Sequence, residues 1–266
     1  YNAFGWEPPI FAHLPLILNP AGQGKMSKRE GRAPDGHMLP VFVRTFQDLG
    51  YLPEAMVNYM ALVGWSYDDK TEIMSRAELI ERFSLERVNA SPAAWNYEKL
   101  DHFNGHYIRQ LQVEDLTDRL LPYLEAVGVQ ADRQILLKIA PHIQERLTVL
   151  SDGPEWVDFF FVDELPEYDL ELLIPRKMSL TDVPDLLQKA RDILAETAFT
   201  HDAIEVSLRS GAEAAGVKVG QLFQPIRVAV CGKLVAPPLF ETLEILGRET
   251  VLTRIDRALD RLKMVV

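Results

Sequence analysis

The chain has 266 residues, 47% of them hydrophobic, with a net charge of −11 and a single cysteine. That length allows two or three domains with cores of their own, and the apolar content excludes a disordered chain. One cysteine, Cys231, excludes a disulfide framework and a cysteine-rich zinc site, and a small buried hydrophobe is role enough for it. No apolar run approaches a membrane span and no signal peptide is visible, which points to a cytoplasmic setting.

Near the start, Gly24-Lys25-Met26-Ser27-Lys28-Arg29-Glu30-Gly31 sets two lysines three residues apart in a glycine-flanked loop. Each ammonium is a compact, rotatable point charge, and Ser27 with neighbouring backbone N–H groups can add donors around an anion such as phosphate. A charge run alone is more often a solvated surface loop.

Farther along, Pro53 starts a helix with Met56, Tyr59, Met60 and Val63 on one face and a stop at Gly64; this stripe is expected in the core. Ser75-Arg76-Ala77-Glu78 reads as a capping box, and Ser91-Pro92 as the start of a helix carrying Trp95 and Leu100. His102 and His106 lie within a helical pattern and do not converge on a phosphate. From residue 110 the periodicity is helical almost throughout: Leu116, Leu120, Leu124 and Val127, then 136–150, 186–194, 239–246 and 252–262. The acidic, proline-rich stretch 163–175 breaks this into two bundles. Arg176-Lys177-Met178-Ser179-Leu180 repeats Lys-Met-Ser but lacks the second lysine, and reads as the start of an apolar helix.

The acidic balance disfavours nonspecific nucleic-acid binding. Basic residues still gather at Lys25/Lys28/Arg29/Arg32, Arg82/Arg87, Arg176/Lys177 and Lys218/Arg227/Lys233, and can line one face while acidic helices carry the excess.

The pentapeptide at 25–29 resembles the KMSKS signature of class I aminoacyl-tRNA synthetases, with Arg29 in the last place. Phe4-Gly5-Trp6-Glu7-Pro8-Pro9 and Phe11-Ala12-His13-Leu14-Pro15-Leu16-Ile17-Leu18-Asn19-Pro20 are similar to the lead-in of glutamyl-tRNA synthetases. Further resemblance runs through Gly50-Tyr51-Leu52-Pro53 to Trp65, Glu98-Lys99-Leu100 with Asn104-Gly105-His106-Tyr107-Ile108, and Gly216-Val217-Lys218-Val219-Gly220 with Gln224 to Gly232. Cys231 stands where the family usually has a hydroxyl residue.

The resemblance implies a mainly α fold. It comprises the end of a class I catalytic domain with the KMSKS-type loop (1–37), a helical stem-contact region (38–109), and a two-part helical anticodon-binding domain (110–165 and 166–266). It further implies the C-terminal part of a longer ligase, monomeric, which joins glutamate to tRNA through a glutamyl adenylate with ATP and Mg²⁺. No Rossmann core is visible, so the chain alone is expected to bind tRNA without activating glutamate.

By the same resemblance Lys28 and Lys25 are the catalytic cations, Ser27 and Lys28 meet the ATP phosphates, and the backbone of Leu16 and Ile17 cradles the adenine. Arg146 falls where the family sets an arginine against the last anticodon base; a helix-surface ion pair is the other reading. Lys218 and Arg227 serve either RNA or the solvated turns that hold them. A free-standing tRNA-binding module without catalysis is the competing class, opposed by the lysine loop, which a pure RNA binder does not need. A shortened relative acting on tRNA nucleotides would lack the helical anticodon domain.

Overall fold

The computed structural model describes every residue except 33–35, 37 and 266. The chain divides into two compact units, one of Tyr1–Leu111 with Leu147–Ser151, the other of Gln112–Arg146 with Asp152–Val266.

In the first unit, strand β1 (Ile17–Leu18) is followed by the antiparallel pair β2 (Gly31–Arg32) and β3 (Met38–Leu39), then by helices α1 (Val43–Leu49), α2 (Pro53–Leu62) and α3 (Arg76–Arg82). Strand β4 (Ala93–Ala94) pairs in parallel with β1, and α4 (Tyr97–Gln110) closes the unit. Proline fits the first turn of α2, where its missing N–H would have no partner anyway. Ser75 caps α3 in a reciprocal box with Glu78.

The aromatic core joins Phe46, Tyr59, Trp95, Leu100 and Phe103, with Met56 and Val63 packed against it; Met60, at the edge of that stripe, is exposed. Trp95 does not lie in a helix. Ala93–Ala94 are drawn into the ladder with β1, and α4 begins only after Asn96, whose side chain accepts the Lys99 N–H (2.9 Å). Asn96 thus satisfies one of the orphan donors that any helix start leaves.

The segment Leu147–Ser151 is tied into this unit by Asn104, which has no exposed surface. The Asn104 amide accepts from Leu52 N–H (2.7 Å) and donates to the Thr148 carbonyl (2.7 Å), while Leu150 N–H donates to the Gly50 carbonyl (3.1 Å). Gly50 has φ +87, and a Cβ built on it would lie 2.5 Å from the Leu150 nitrogen, so backbone passes where any other side chain would stand.

The second unit is helical: α5 (Val113–Ala126), α6 (Arg133–Ile143), α7 (Gly153–Val157), α8 (Val183–Glu196), α9 (His201–Ala214), α10 (Val219–Cys231), α11 (Leu239–Leu246) and α12 (Arg248–Lys263). A mostly aliphatic core joins one stripe from each of α8 to α12, as with Leu187, Ala190 and Leu194 on α8 and Ile255, Leu259 and Leu262 on α12. Two helical stretches are shorter than the periodicity suggests. Val127 is an exposed cap beyond α5, and the 136–150 pattern breaks after Ile143 into a 3₁₀ turn (Gln144–Arg146), two residues past Pro141, which withholds a donor from the last turn. Ser179 and Asp182 form a reciprocal cap ahead of α8, as the apolar run after the second Lys-Met-Ser requires. Cys231 is buried, and burial pushes its thiol up to about 12, far from reactive thiolate chemistry.

Candidate functional site

The lysine loop is built outward from β1. Leu18 bridges Lys25 in antiparallel fashion, Asn19 N–H donates to the Gly24 carbonyl (3.0 Å), and Met26 N–H donates to the Ile17 carbonyl (2.9 Å). The chain reverses between these pairs. Gly24 takes φ +77 there, a left-handed conformation that would strain other residues.

Met26 is half-buried against the aromatic core, while Lys25, Ser27 and Lys28 are exposed. Methionine therefore anchors the loop and leaves the cations outside. Ser27 Oγ accepts the Arg29 N–H (2.9 Å) and donates to the Arg29 carbonyl (2.8 Å), closing a turn around Lys28. The Glu30 carboxylate accepts from the Thr45 hydroxyl on α1, which fixes the far end. Among the described residues neither lysine is held in an ion pair, so both ammoniums stay available to an anion. Ile17 is half-buried with its carbonyl taken by Met26, and Leu16 just before it is exposed.

A second basic group forms in the helical unit. The Arg146 guanidinium lies 5.2 Å from the centre of the Trp156 ring on α7, a cation–π stack, and among the described residues no carboxylate pairs with it. Arg227, on α10, is half-buried and donates to the carbonyls of Pro237 (2.7 Å) and Ala236 (3.3 Å), so it shapes the loop 232–238, where Leu234 and Val235 are exposed. Burial holds the Arg227 guanidinium below its ordinary value, and the positive charge of Arg146 pushes the same way. Lys233 is pinned instead, its Nζ 2.6 Å from both the Glu155 carbonyl and Asp158 Oδ1.

A family model described as the anticodon binding domain matches residues 115–259, and one described as the catalytic domain of class I tRNA synthetases (E and Q) matches residues 1–102. The chain belongs to the anticodon binding domain family. A glutamate–tRNA ligase of Roseiflexus castenholzii is 50% identical over 97% of this chain and 51% of its own length; that of Chloroflexus aurantiacus is 44% identical over 99% and 52%. The crystal structure of a glutamate tRNA ligase from Elizabethkingia meningosepticum in complex with its amino acid superposes with a TM-score of 0.82 at 31% identity, over 98% of this chain and 53% of that one. The chain thus spans about half the length of the relatives it matches.

In this chain the fold brings Lys25, Ser27 and Lys28 onto one hairpin with Ile17, and Leu16 enters it from the exposed side. It also brings Arg146 near Arg227. Lys218 is elsewhere: it precedes α10, nine residues before Arg227, or about 13 Å along a helix. There Gln221 accepts the Lys218 N–H (2.9 Å) and donates to the Arg176 carbonyl (3.2 Å).

Sequence reasoning missed Met26 as the anchor and Trp156 as the platform under Arg146. The spacing of apolar residues around Met26 could have marked the first. Nothing marks the second, because Trp156 sits ten residues away on a five-residue helix.

Proposed function

We propose that this chain works within a glutamate–tRNA ligase, supplying the cationic loop that serves ATP and the surface that reads tRNA. The observation that carries this reading is the lysine hairpin, two exposed ammoniums with no ion pair among the described residues, on a turn shaped by Ser27 and anchored by Met26.

In the reaction a glutamate carboxylate oxygen attacks the α-phosphorus, the bond from that phosphorus to the bridging oxygen breaks, and pyrophosphate leaves with the electron pair. Negative charge grows on the leaving group, and Lys28, assisted by Lys25, stands where it would be stabilised more in the transition state than before it. Main-chain groups of Leu16 and Ile17 would take the adenine edge. Mg²⁺ would ride on the nucleotide's phosphate oxygens; among the described residues no three His, Cys, Asp or Glu side chains gather to hold a metal.

On the RNA side, Arg146 is assigned to the last anticodon base, with Arg227 and Lys218 as further RNA contacts. Residues 1–37 complete the catalytic domain, 38–109 meet the tRNA stem, and 110–165 with 166–266 form the two parts of the anticodon-binding domain. A cytoplasmic monomer fits the single buried cysteine and the absence, among the described residues, of a helix able to cross a membrane.

The test is an Arg146→Ala variant grafted in place of the matched half of the Roseiflexus castenholzii ligase. Base contacts carry sequence information, so charging should discriminate less among tRNAs altered at the last anticodon base, by roughly 1–3 kcal/mol, while pyrophosphate exchange stays unchanged. If wild type and variant rank those tRNAs identically, Arg146 is a surface cation only. In the same graft Ser27→Ala, which removes the turn bond but no charge, should slow exchange by about two- to tenfold, the value of one neutral hydrogen bond. A loss as deep as that of Lys28→Ala would mean that the hydroxyl itself contacts the reacting phosphate.

A further inference from the structure

Arg254 of α12 is a buried arginine with no carboxylate ligand. Only 2% of its surface is exposed, and its terminal nitrogens donate to three carbonyls: Val230 (2.7 Å), Phe159 (2.9 Å) and Val162 (2.7 Å). Its Nε–H is buried and donates to nothing. Such orphans are uncommon, because a buried charge is usually both paired and fully hydrogen-bonded.

Beside Arg254 lies a cavity of about 100 Å³, lined by Arg257 and Arg261 of the same helix face, by Ala229 and Ala258, and by Leu165, Tyr168 and Glu164. That is several times the roughly 10–15 Å³ one water needs. Arg254, Arg257 and Arg261 are three and four residues apart, hence stacked on one side of α12. Arg261 is held in place by the Tyr168 ring (4.5 Å) and carbonyl (2.9 Å), and Arg257 by the Glu164 carboxylate (2.9 Å) and the Asp163 carbonyl (3.2 Å). Even with Glu164 offsetting Arg257, positive charge remains in excess against the cavity wall.

We propose that this cavity is a site for one oxyanion of the phosphate type, with Arg254 on its buried side and Arg257 and Arg261 toward solvent. A tetrahedral oxyanion presents several acceptors at once, which suits the Arg257 and Arg261 N–H groups that meet neither a carbonyl nor Glu164, while Arg254, whose terminal nitrogens are bound to carbonyls, adds its charge from behind. The anion could be free phosphate or a phosphate of an RNA backbone. Either would neutralise Arg254 and tie the segment 159–168 to α12.

The experiment compares melting of the 266-residue chain in phosphate and in chloride at matched ionic strength, for wild type and for Arg257→Gln, at an exposed position, and Arg261→Gln, at a half-buried one where glutamine keeps a polar end; melting in chloride alone checks that each variant folds. A ligand bound only by the folded state raises the melting temperature saturably, by roughly 5 °C well above its dissociation constant. We expect that rise in wild type and its loss in both variants. Equal responses in all three proteins, or none beyond chloride in wild type, would overturn the proposal and leave a water-filled cavity. A tRNA-binding arm separates the sources: weakening by phosphate in wild type but not in the variants identifies an RNA phosphate, and tRNA binding indifferent to phosphate, with the melting shift present, identifies the free anion.

Discussion

Replacing Lys28 by alanine in the Roseiflexus castenholzii graft should slow glutamate-dependent ATP–pyrophosphate exchange by at least about 100-fold, with tRNA affinity nearly unchanged. Removing one preorganised contact to developing charge costs about 2.7–4 kcal/mol of barrier, and the exposed, unpaired ammonium of Lys28 contributes nothing to packing that its loss could disturb. The effect should fall on the rate at saturating ATP more than on the apparent affinity for ATP, because the contact strengthens as the pyrophosphate leaves. Lys28→Arg keeps the charge but moves it onto a planar fork, so it should recover only part of the rate. Pre-steady-state exchange measures both variants. Exchange by Lys28→Ala at the wild-type rate would remove Lys28 from the chemistry.

Asn104→Leu should destabilise the first unit by about 1–3 kcal/mol, the cost of one buried main-chain group left unpaired. The amide serves the buried Leu52 N–H, which has no water to turn to at that depth, and the Thr148 carbonyl, which belongs to an exposed residue and can turn to solvent. Each buried main-chain group left unpaired costs roughly 1–3 kcal/mol, and leucine fills the space without replacing either bond. Of the four tryptophans, Trp6, Trp65 and Trp95 lie in this unit and Trp156 in the other. In a Trp156→Phe background, tryptophan fluorescence therefore follows the first unit by itself. Its urea midpoint should drop markedly while the helical signal of the second unit melts as before; coincident midpoints for Asn104→Leu and its parent would show that the lock carries little stability.

Helices were the most legible part of the sequence wherever a strong apolar stripe met a cap. The Ser75–Glu78 box and the run to Leu246 before Gly247 show this, since cap and periodicity act within a few residues. The misreadings have tertiary causes. Ser91-Pro92 looks like a helix start, but the next two residues are held by a ladder to Ile17–Leu18, more than seventy positions earlier. The 136–150 pattern keeps its apolar period while the backbone changes form after Pro141, because residues 147–151 answer to Asn104 and Gly50 and not to their own helix.

For the site, the lysine pair could be picked out as a candidate because its residues are consecutive in the chain. The grouping of Arg146, Trp156 and Arg227 could not, since it joins three separate elements and the net charge of −11 conceals it. Least readable were the internal partners of Arg227: beside the RNA contact proposed for it, its guanidinium bonds two carbonyls of the 232–238 loop, which no side-chain pattern announces.

The most direct measurement is glutamylation of glutamate tRNA by the graft in which this chain replaces the matched half of the Roseiflexus castenholzii ligase. A working phosphate loop and a working RNA surface on the same chain should give charging that depends on ATP, is lost with Lys28→Ala, and falls when the anticodon is altered. A folded graft that forms the adenylate but charges every tRNA alike, or that charges tRNA equally well without Lys28, would contradict the proposed division of work within this chain.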